Sequence, residues 1–235
     1  TLHRANPNRL HKTNHHTAMS EKLWYYEMGT KVEVAFENQN GISMPEVEDD
    51  TYASIDGWYC AAQAQIFKKF IDTADNNASI VEIGAWKGKS CRHIAQMIKE
   101  SGKKINYYIV DTFKGSQNEP NAHLREVARC GGSIRNIFDS NMKGMEKYFT
   151  VLEGLSSEVV TNFKNNSLDM VWIDGDHSYE GVLKDIINYH PKLKQNGLLG
   201  GDDYHPSWGV PKAVNMSLGC LNIIIYGQCW RTIKK

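Results

Sequence analysis

Acidic side chains stand at the ends of several apolar, strand-like runs of this 235-residue chain. Asp174 follows the run "MVWI", and Asp202 and Asp203 follow "GLLGG". If the runs are parallel strands, their carboxyl ends meet at one edge of a sheet and bring the three carboxylates together. Carboxylates that share a cleft repel one another unless a cation lies between them, and Mg²⁺ prefers oxygen ligands. The pattern predicts a Mg²⁺ site; the alternative is that one or two of these residues, Asp203 above all, are helix N-caps.

A histidine follows the first of these acids: His177 lies three residues after Asp174. Imidazole changes its charge in the physiological pH range, so it can take a proton from a hydroxyl group that a nearby cation has acidified. Asp174 and His177 are the predicted catalytic residues. A purely structural role for His177 stays open.

The stretch "VEIGAWKGKS" ends in Gly-Lys-Ser, as the loops that bind nucleoside triphosphates do. Such loops need four residues between the first glycine and that tripeptide, but only three separate Gly84 from Gly88. A dinucleotide-binding GxGxxG pattern fails as well, because Trp86 and Lys89 stand where glycines are required. The loop is therefore predicted to bind a ligand of another kind.

The charged and polar groups of the same loop are complementary to the two charged groups of an amino acid. Glu82, two residues before the first glycine, suits a cationic group, and the free N–H groups of a helix beginning at Ser90 suit a carboxylate. The next strand-like run, "INYYIVD", ends in Asp111, an acid that can accept hydrogen bonds from both hydroxyls of a ribose. An amino acid joined to a nucleoside is S-adenosylmethionine (SAM), so the pattern predicts a SAM site.

The elements that must position these residues alternate between strand-like and helical patterns. Such alternation predicts an α/β fold with a doubly wound, parallel sheet. The last run, "LNIIIYGQCWRTIKK", predicts instead an antiparallel hairpin that turns at Gly227. One helical stripe precedes the first strand of the sheet: Trp58, Ala62, Ile66, Phe70 and Ile71.

Two segments fall outside this alternation. Residues 1–57 are polar and are predicted to form an N-terminal arm, partly irregular, ahead of the α/β domain at 58–235. Residues 114–133 exceed what one crossover helix requires, so they are either a lid over the site or a surface excursion.

The composition of the chain limits the classes of partner that it is expected to bind. Lysine plus arginine equals aspartate plus glutamate at 27 each, so no net charge favours nucleic acid or an anionic membrane. No run is long and apolar enough to span a bilayer, and the start shows no secretory signal, which predicts a cytoplasmic protein. Five scattered cysteines without CxxC spacing argue against a disulfide framework or a zinc site and predict reduced, mostly buried thiols.

Taken together, "VEIGAWKGKS", "INYYIVD", "IDGDHSYEG" and "GLLGGDDY" resemble motifs of the class I SAM-dependent methyltransferases. The resemblance covers about residues 57–235 and is closest to the metal-dependent small-molecule O-methyltransferases, which include catechol O-methyltransferase and the sugar-modifying enzymes of macrolide biosynthesis. It implies a seven-stranded Rossmann-like sheet with a C-terminal antiparallel hairpin.

The resemblance also implies roles for residues of the glycine loop. Gly84 and Gly88 would pass close to the methionine part of SAM, and Ser90 would contact its carboxylate. Trp86 would place an aromatic face beside the sulfonium.

Beyond the loop, Asp111 would bind the ribose and Ser156, in "EGLSS", the adenine, while Asp174 would contact the cofactor as well as the metal. His177 departs from the family, because the catechol-type enzymes carry a lysine at the corresponding position.

These observations predict Mg²⁺-assisted O-methylation of a small molecule such as a sugar, a polyketide or a catechol-like ring. Two alternatives stay open: a phosphate-loop nucleotidase that uses Lys89, Ser90 and Asp174, and a non-catalytic module that binds the cofactor. Homo-oligomerisation is also left open, since related enzymes pair through their arms and lids.

Overall fold

The computed structural model describes residues 21–27, 30–36, 41–116, 121–219 and 222–235. The first twenty residues of the predicted arm, residues 117–120 of the predicted lid and Cys220 lie outside this part of the chain.

A mixed sheet forms the centre of the molecule and has nine strands within the described residues. The strands are β1 Glu21–Glu27, β2 Thr30–Phe36, β3 Ala78–Ile83, β4 Ile105–Asp111, β5 Thr150–Glu153, β6 Leu168–Ile173, β7 Leu193–Gly201, β8 Ile223–Tyr226 and β9 Cys229–Ile233. Their order across the sheet is β1-β2-β8-β9-β7-β6-β3-β4-β5. Strands β3 to β7 run parallel, and β9 is antiparallel to both of its neighbours.

The seven strands from β3 to β9 confirm the predicted doubly wound sheet with its C-terminal hairpin. Gly227 makes the turn with a φ of 72°, which favours glycine. The sheet extends beyond the prediction, because β1 and β2 of the N-terminal arm form a second hairpin whose strand β2 pairs in parallel with β8.

Helices cover both faces of the sheet. They are α1 Ala61–Thr73, α2 Lys89–Ser101, α3 Asn121–Arg129, α4 Arg135–Asn141, α5 Ser156–Val159, α6 Tyr179–Tyr189 and α7 Val210–Leu218. Apolar side chains of α1 to α4 pack against one face, and those of α5 to α7 pack against the other. Within the described residues, no helix combines the length and apolar character that crossing a membrane requires.

The helix boundaries follow from local chemistry. Helix α2 begins after Gly88 and ends at Gly102, and both glycines adopt left-handed backbone angles. Helix α1 starts later than its apolar stripe predicts, because Cys60 is extended and caps the helix by accepting the N–H of Gln63. Trp58 therefore lies outside the helix and is 72% exposed, which corrects its predicted place in the stripe.

Candidate active site

The carboxyl ends of β3 and β6 lie side by side, and the loops that leave them lead to helices on opposite faces. In doubly wound sheets, ligands bind in the crevice at such a point. The two loops touch here: the N–H of Asp174 donates to the carbonyl of Ile83 over 2.8 Å. A Cβ at Gly84 would lie 1.9 Å from the carbonyl oxygen of Asp174. Glycine is required at this position by packing alone, before any ligand is considered.

The glycine loop between β3 and α2 has an unusual backbone. Gly84, Trp86 and Gly88 have φ angles of 93°, 48° and 90°, of which only the tryptophan value is uncommon for its residue type. Gly88 precedes α2, whose first N–H groups have no partner inside the helix, as in any α-helix. The loop thus presents helix N–H groups at the edge where a ligand carboxylate is predicted.

Glu82 lies in the interior rather than in the cleft, with an exposed fraction of 0%. Ser90 Oγ donates to its Oε1 over 2.7 Å, and the Tyr107 hydroxyl and the Cys91 thiol donate to its Oε2. Burial raises the pKa of Glu82 to about 7. This position corrects the expectation that the Glu82 carboxylate faces a cationic ligand. Because Glu82 accepts the hydrogen bond of the Ser90 hydroxyl, the group of Ser90 that can bind a ligand carboxylate is its backbone N–H.

Asp111 ends β4, where the sequence predicts it, and its carboxylate holds the glycine loop. Oδ2 accepts the N–H groups of Ala85 and Trp86 over 2.6 and 3.0 Å, and Oδ1 accepts that of Phe113 over 2.7 Å. Burial raises the pKa of Asp111, and these hydrogen bonds oppose the rise. A carboxylate has about four acceptor positions. The Thr112 backbone is a fourth hydrogen-bond partner of this carboxylate, so a ribose hydroxyl, which remains its predicted ligand, would share these positions with the loop.

Trp86 joins an aromatic cluster at the mouth of the loop. Its ring centroid lies 4.8 Å from that of His123 in α3 and 6.3 Å from that of Trp58. Within the described residues, the buried indole Nε1 of Trp86 has no hydrogen-bond partner. An aromatic face beside the sulfonium remains the predicted role of Trp86.

Ser156 is the first residue of α5, next to the end of β5. Its hydroxyl donates to Asp185 of α6, and its carbonyl accepts the Tyr189 hydroxyl over 3.0 Å. Burial raises the pKa of Asp185 to about 6. The Ser156 side chain thus points to α6. The predicted contact of Ser156 with adenine would have to be made by backbone atoms of the residue.

Asp174, His177 and Asp203 form a polar group at the ends of β6 and β7. His177 Nε2 lies 3.4 Å from Asp174 Oδ1 and 3.1 Å from Asp203 Oδ2. The three side chains offer ligand atoms within 4.8 Å of one another. Asp203 has a φ of 57°, and the Trp208 ring packs edge-on against His177. The predicted convergence of Asp174 and Asp203 with the candidate base is present.

Asp202 belongs to a second group. Its Oδ1 accepts the N–H of Asp203 over 2.8 Å and the thiol of Cys229 over 3.5 Å, and Cys60 Sγ lies 3.7 Å from Cys229 Sγ. Burial and the nearby Asp174 raise the pKa of Asp202 to about 8. Asp202 stays close enough to Asp174 and Asp203 for their charges to act on it, but its side chain contacts the Cys229 thiol and lies with Cys60 in a group of its own. A metal site of all three aspartates stays a prediction.

The four cysteines in the described part of the chain are free thiols, as predicted, and only Cys130 departs from the expected burial. Cys91 and Cys229 are buried, Cys60 is half-buried and Cys130 is exposed. The proximity of Cys60 and Cys229 could not be predicted from their spacing in the sequence. The available signal was the hairpin, because an antiparallel last strand begins at the edge where the parallel strands end.

The polar group fits a hard cation in part. Asp174 and Asp203 supply the oxygen donors that Mg²⁺ requires, whereas the imidazole of His177 suits softer metals. The glycine loop and Asp111 fit SAM, since helix N–H groups and a strand-end carboxylate match its amino-acid and ribose parts.

Comparisons with known proteins agree with this geometry. A family model described as a methyltransferase domain matches residues 81–204, more than half of the chain. The uncharacterized protein R132 of Acanthamoeba polyphaga mimivirus is 28% identical over 136 residues, which are 55% of this chain and 52% of that protein. The chain spans about half the length of this curated relative.

Solved structures share the fold. The O-methyltransferase NovP superposes with a TM-score of 0.55 at 14% identity, over 74% of this chain and 80% of NovP. A SAM-dependent O-methyltransferase from Thermotoga maritima gives 0.53 at 13% identity, over 81% and 71%. CalS11, a TDP-rhamnose 3'-O-methyltransferase of calicheamicin biosynthesis, gives 0.50 at 14% identity, over 72% and 76%.

At identities this low, the structural similarity is evidence for a shared fold only. The match to the family model is the evidence for membership of the family. Both confirm the resemblance to class I SAM-dependent methyltransferases that the motifs predict. The match over residues 81–204, together with the sheet order, shows that this chain belongs to the methyltransferase-domain family.

Proposed function

We propose that the protein is a SAM-dependent methyltransferase that acts on a hydroxyl group of a small molecule. The observation that carries this proposal is the placement of His177 between Asp174 and Asp203, at the strand ends beside the glycine loop. Several structures of similar fold are named O-methyltransferases, which supports a hydroxyl acceptor. The balanced charge of the chain favours a small acceptor over nucleic acid or a membrane surface.

Bound SAM would supply a methyl group activated by its sulfonium. Methyl transfer forms a carbon–oxygen bond to the acceptor, breaks the carbon–sulfur bond, and releases the hydroxyl proton. His177 takes that proton at Nε2, where the carboxylates of Asp174 and Asp203 lie within 3.4 Å and stabilise the resulting imidazolium. Asp111 and the first turn of α2 would hold the cofactor.

The proposal includes Mg²⁺ held by Asp174 and Asp203, with Asp202 adjacent. Bound there, Mg²⁺ would supply Lewis-acid chemistry that lowers the pKa of the acceptor hydroxyl. His177 and the metal would share the same two carboxylates. Separate experiments are therefore needed to distinguish the contribution of the base to turnover from that of the metal. A sugar, a polyketide or a catechol-like ring remains the proposed acceptor.

Calorimetry with S-adenosylhomocysteine tests cofactor binding without requiring an acceptor. Asp111→Asn should weaken binding about 10- to 100-fold, since a charged hydrogen-bond partner is lost. Lys89→Ala is the matched control, because a phosphate-loop protein needs that lysine and a methyltransferase does not. Tight ATP binding that Lys89→Ala abolishes, without binding of S-adenosylhomocysteine, would establish the nucleotidase alternative.

Methyl transfer to a panel of hydroxyl compounds tests the chemistry. His177→Gln should lower kcat about 10²- to 10⁴-fold, the usual contribution of a general base, while affinity for S-adenosylhomocysteine is retained. EDTA should lower turnover in the same assay. Full activity after EDTA would remove Mg²⁺ from the proposal, and full activity of His177→Gln would remove the base.

A further inference from the structure

Cys60 and Cys229 are 169 positions apart in the chain, and the fold places their sulfur atoms 3.7 Å apart. Cys60 caps α1, and Cys229 is the first residue of β9. Because β9 runs antiparallel to β7, Cys229 lies at the edge where Asp202 leaves the sheet. Cys60, Asp202 and Cys229 each offer a ligand atom within 4.8 Å of the others.

Two separations in this group, which the thiols now span as hydrogen bonds, also equal those between ligands of a tetrahedral metal ion. Two thiolates bound to one zinc at about 2.3 Å each lie about 3.8 Å apart. A thiolate and a carboxylate oxygen on the same ion lie about 3.5 Å apart. The observed separations are 3.7 Å between the two sulfurs and 3.5 Å between Cys229 Sγ and Asp202 Oδ1.

We propose that Cys60, Cys229 and Asp202 form a binding site for a thiophilic divalent cation of the Zn²⁺ class, separate from the group around His177. Three protein ligands leave the fourth tetrahedral position for water or for a ligand in the cleft, as in zinc sites that are not purely structural. Cys60 and Asp202 are half-buried, so the site is open to entry from solvent.

Binding exchanges bonds in a balanced way. Two S–H bonds are replaced by two sulfur–metal bonds, and the two thiol protons pass to solvent, together with the carboxyl proton of Asp202 at a pH where that group is protonated. The start of α1 favours the thiolate at Cys60, since the N–H of Gln63 donates to its sulfur.

The ligand types separate this site from the Mg²⁺ proposed nearby. Thiolates are soft ligands that select zinc-like ions, whereas Mg²⁺ binds oxygen. A disulfide is the competing use of the two thiols, but both are free and their 3.7 Å separation exceeds the bond length of about 2.05 Å.

The test is a titration of the full chain, reduced with a phosphine and freed of metal, with Cd²⁺ as a spectroscopic probe and Zn²⁺ as competitor. We expect a sulfur-to-metal charge-transfer band that saturates at one Cd²⁺ per chain and is displaced by Zn²⁺ but not by Mg²⁺. Absence of the band would overturn the proposal. The readout does not depend on methyl transfer, so the site and the proposed function can fail independently.

Cys60→Ser is the decisive variant, because serine keeps the helix cap but removes the thiolate. It should weaken Cd²⁺ binding by about 10- to 100-fold or more, because loss of a residue that merely hydrogen-bonds to a metal ligand already has an effect of this size. Cys130→Ser, which removes an exposed thiol at the end of α3, is the matched control and should bind as the parent does. An unchanged band in Cys60→Ser, or an equal loss in Cys130→Ser, would contradict the site.

A second measurement needs no variant. Alkylation followed by peptide mapping should show that Zn²⁺ protects Cys60 and Cys229 but leaves Cys130 reactive. Equal reactivity of Cys60 with and without Zn²⁺ would argue against the site even if a variant failed to fold. Recovery of a Cys60–Cys229 disulfide that persists after the phosphine treatment, with no Cd²⁺ bound, would assign the pair to a disulfide instead.

Discussion

Replacing Glu82 with glutamine should change how the stability of the protein depends on pH. The Glu82 carboxyl is buried at the centre of the fold, and its oxygens accept hydrogen bonds from Ser90, Tyr107 and Cys91. Burial raises its pKa to about 7, from an ordinary value of 4.5. The folded state therefore keeps a proton that the unfolded chain releases at lower pH.

The sign follows from linkage. A raised pKa means that the contribution of Glu82 is fully present below its unfolded pKa and is lost as pH rises through its folded pKa. For pKa values of 4.5 and about 7, the free energy of unfolding should fall by roughly 2 to 3 kcal/mol between about pH 5 and about pH 8 through this one group. Glutamine cannot ionise, so this part of the pH dependence should disappear in Glu82→Gln.

Urea denaturation of the parent and of Glu82→Gln at several pH values in this range measures the difference. The variant should be the less stable protein near pH 5, where the protonated acid is well accommodated, and should match or exceed the parent near pH 8. Glu180→Gln, which removes an exposed carboxylate of α6, should follow the pH dependence of the parent. Parallel stability curves for the parent and Glu82→Gln would refute the reasoning, because Glu82 would then be ionised in both states.

Three further substitutions test the loops around the cleft. Gly84→Ala should lower the free energy of unfolding by at least about 3 kcal/mol, because alanine at a φ of 93° is strained and its Cβ would meet the Asp174 carbonyl oxygen at 1.9 Å; thermal denaturation measures this loss, and a stability near that of the parent would contradict it. Ser178→Ala should cost about 1 kcal/mol, since Ser178 caps α6 by accepting the N–H of Gly181 over 3.1 Å; urea denaturation decides, with an unchanged midpoint as the contrary result. Asp203→Asn keeps a residue type that tolerates the left-handed backbone, so kcat should fall while affinity for S-adenosylhomocysteine stays within about threefold; an equal loss of both would place Asp203 in cofactor binding.

Much of the site was predictable because the sheet imposes its geometry on any sequence with this pattern. Parallel strands end at one edge, so Asp111, Asp174 and Asp203 could be placed there from the positions of the apolar runs alone. Side-chain direction was less predictable. Glu82 stands inside the run "SIVEI", and a strand buried on both faces leaves its side chains no route to the cleft.

By itself, the sequence determined the alternation of strands and helices, the hairpin at Gly227, and the identity of the acids at the strand ends, since each depends on local periodicity and turn chemistry. Only the tertiary structure decided which groups meet. It separated Asp202 from Asp203, which are adjacent in sequence, and it joined Cys60 to Cys229, which are 169 positions apart. The physical reason is that side-chain contacts depend on strand order and strand direction, and these are set by packing of the whole chain rather than by any one segment.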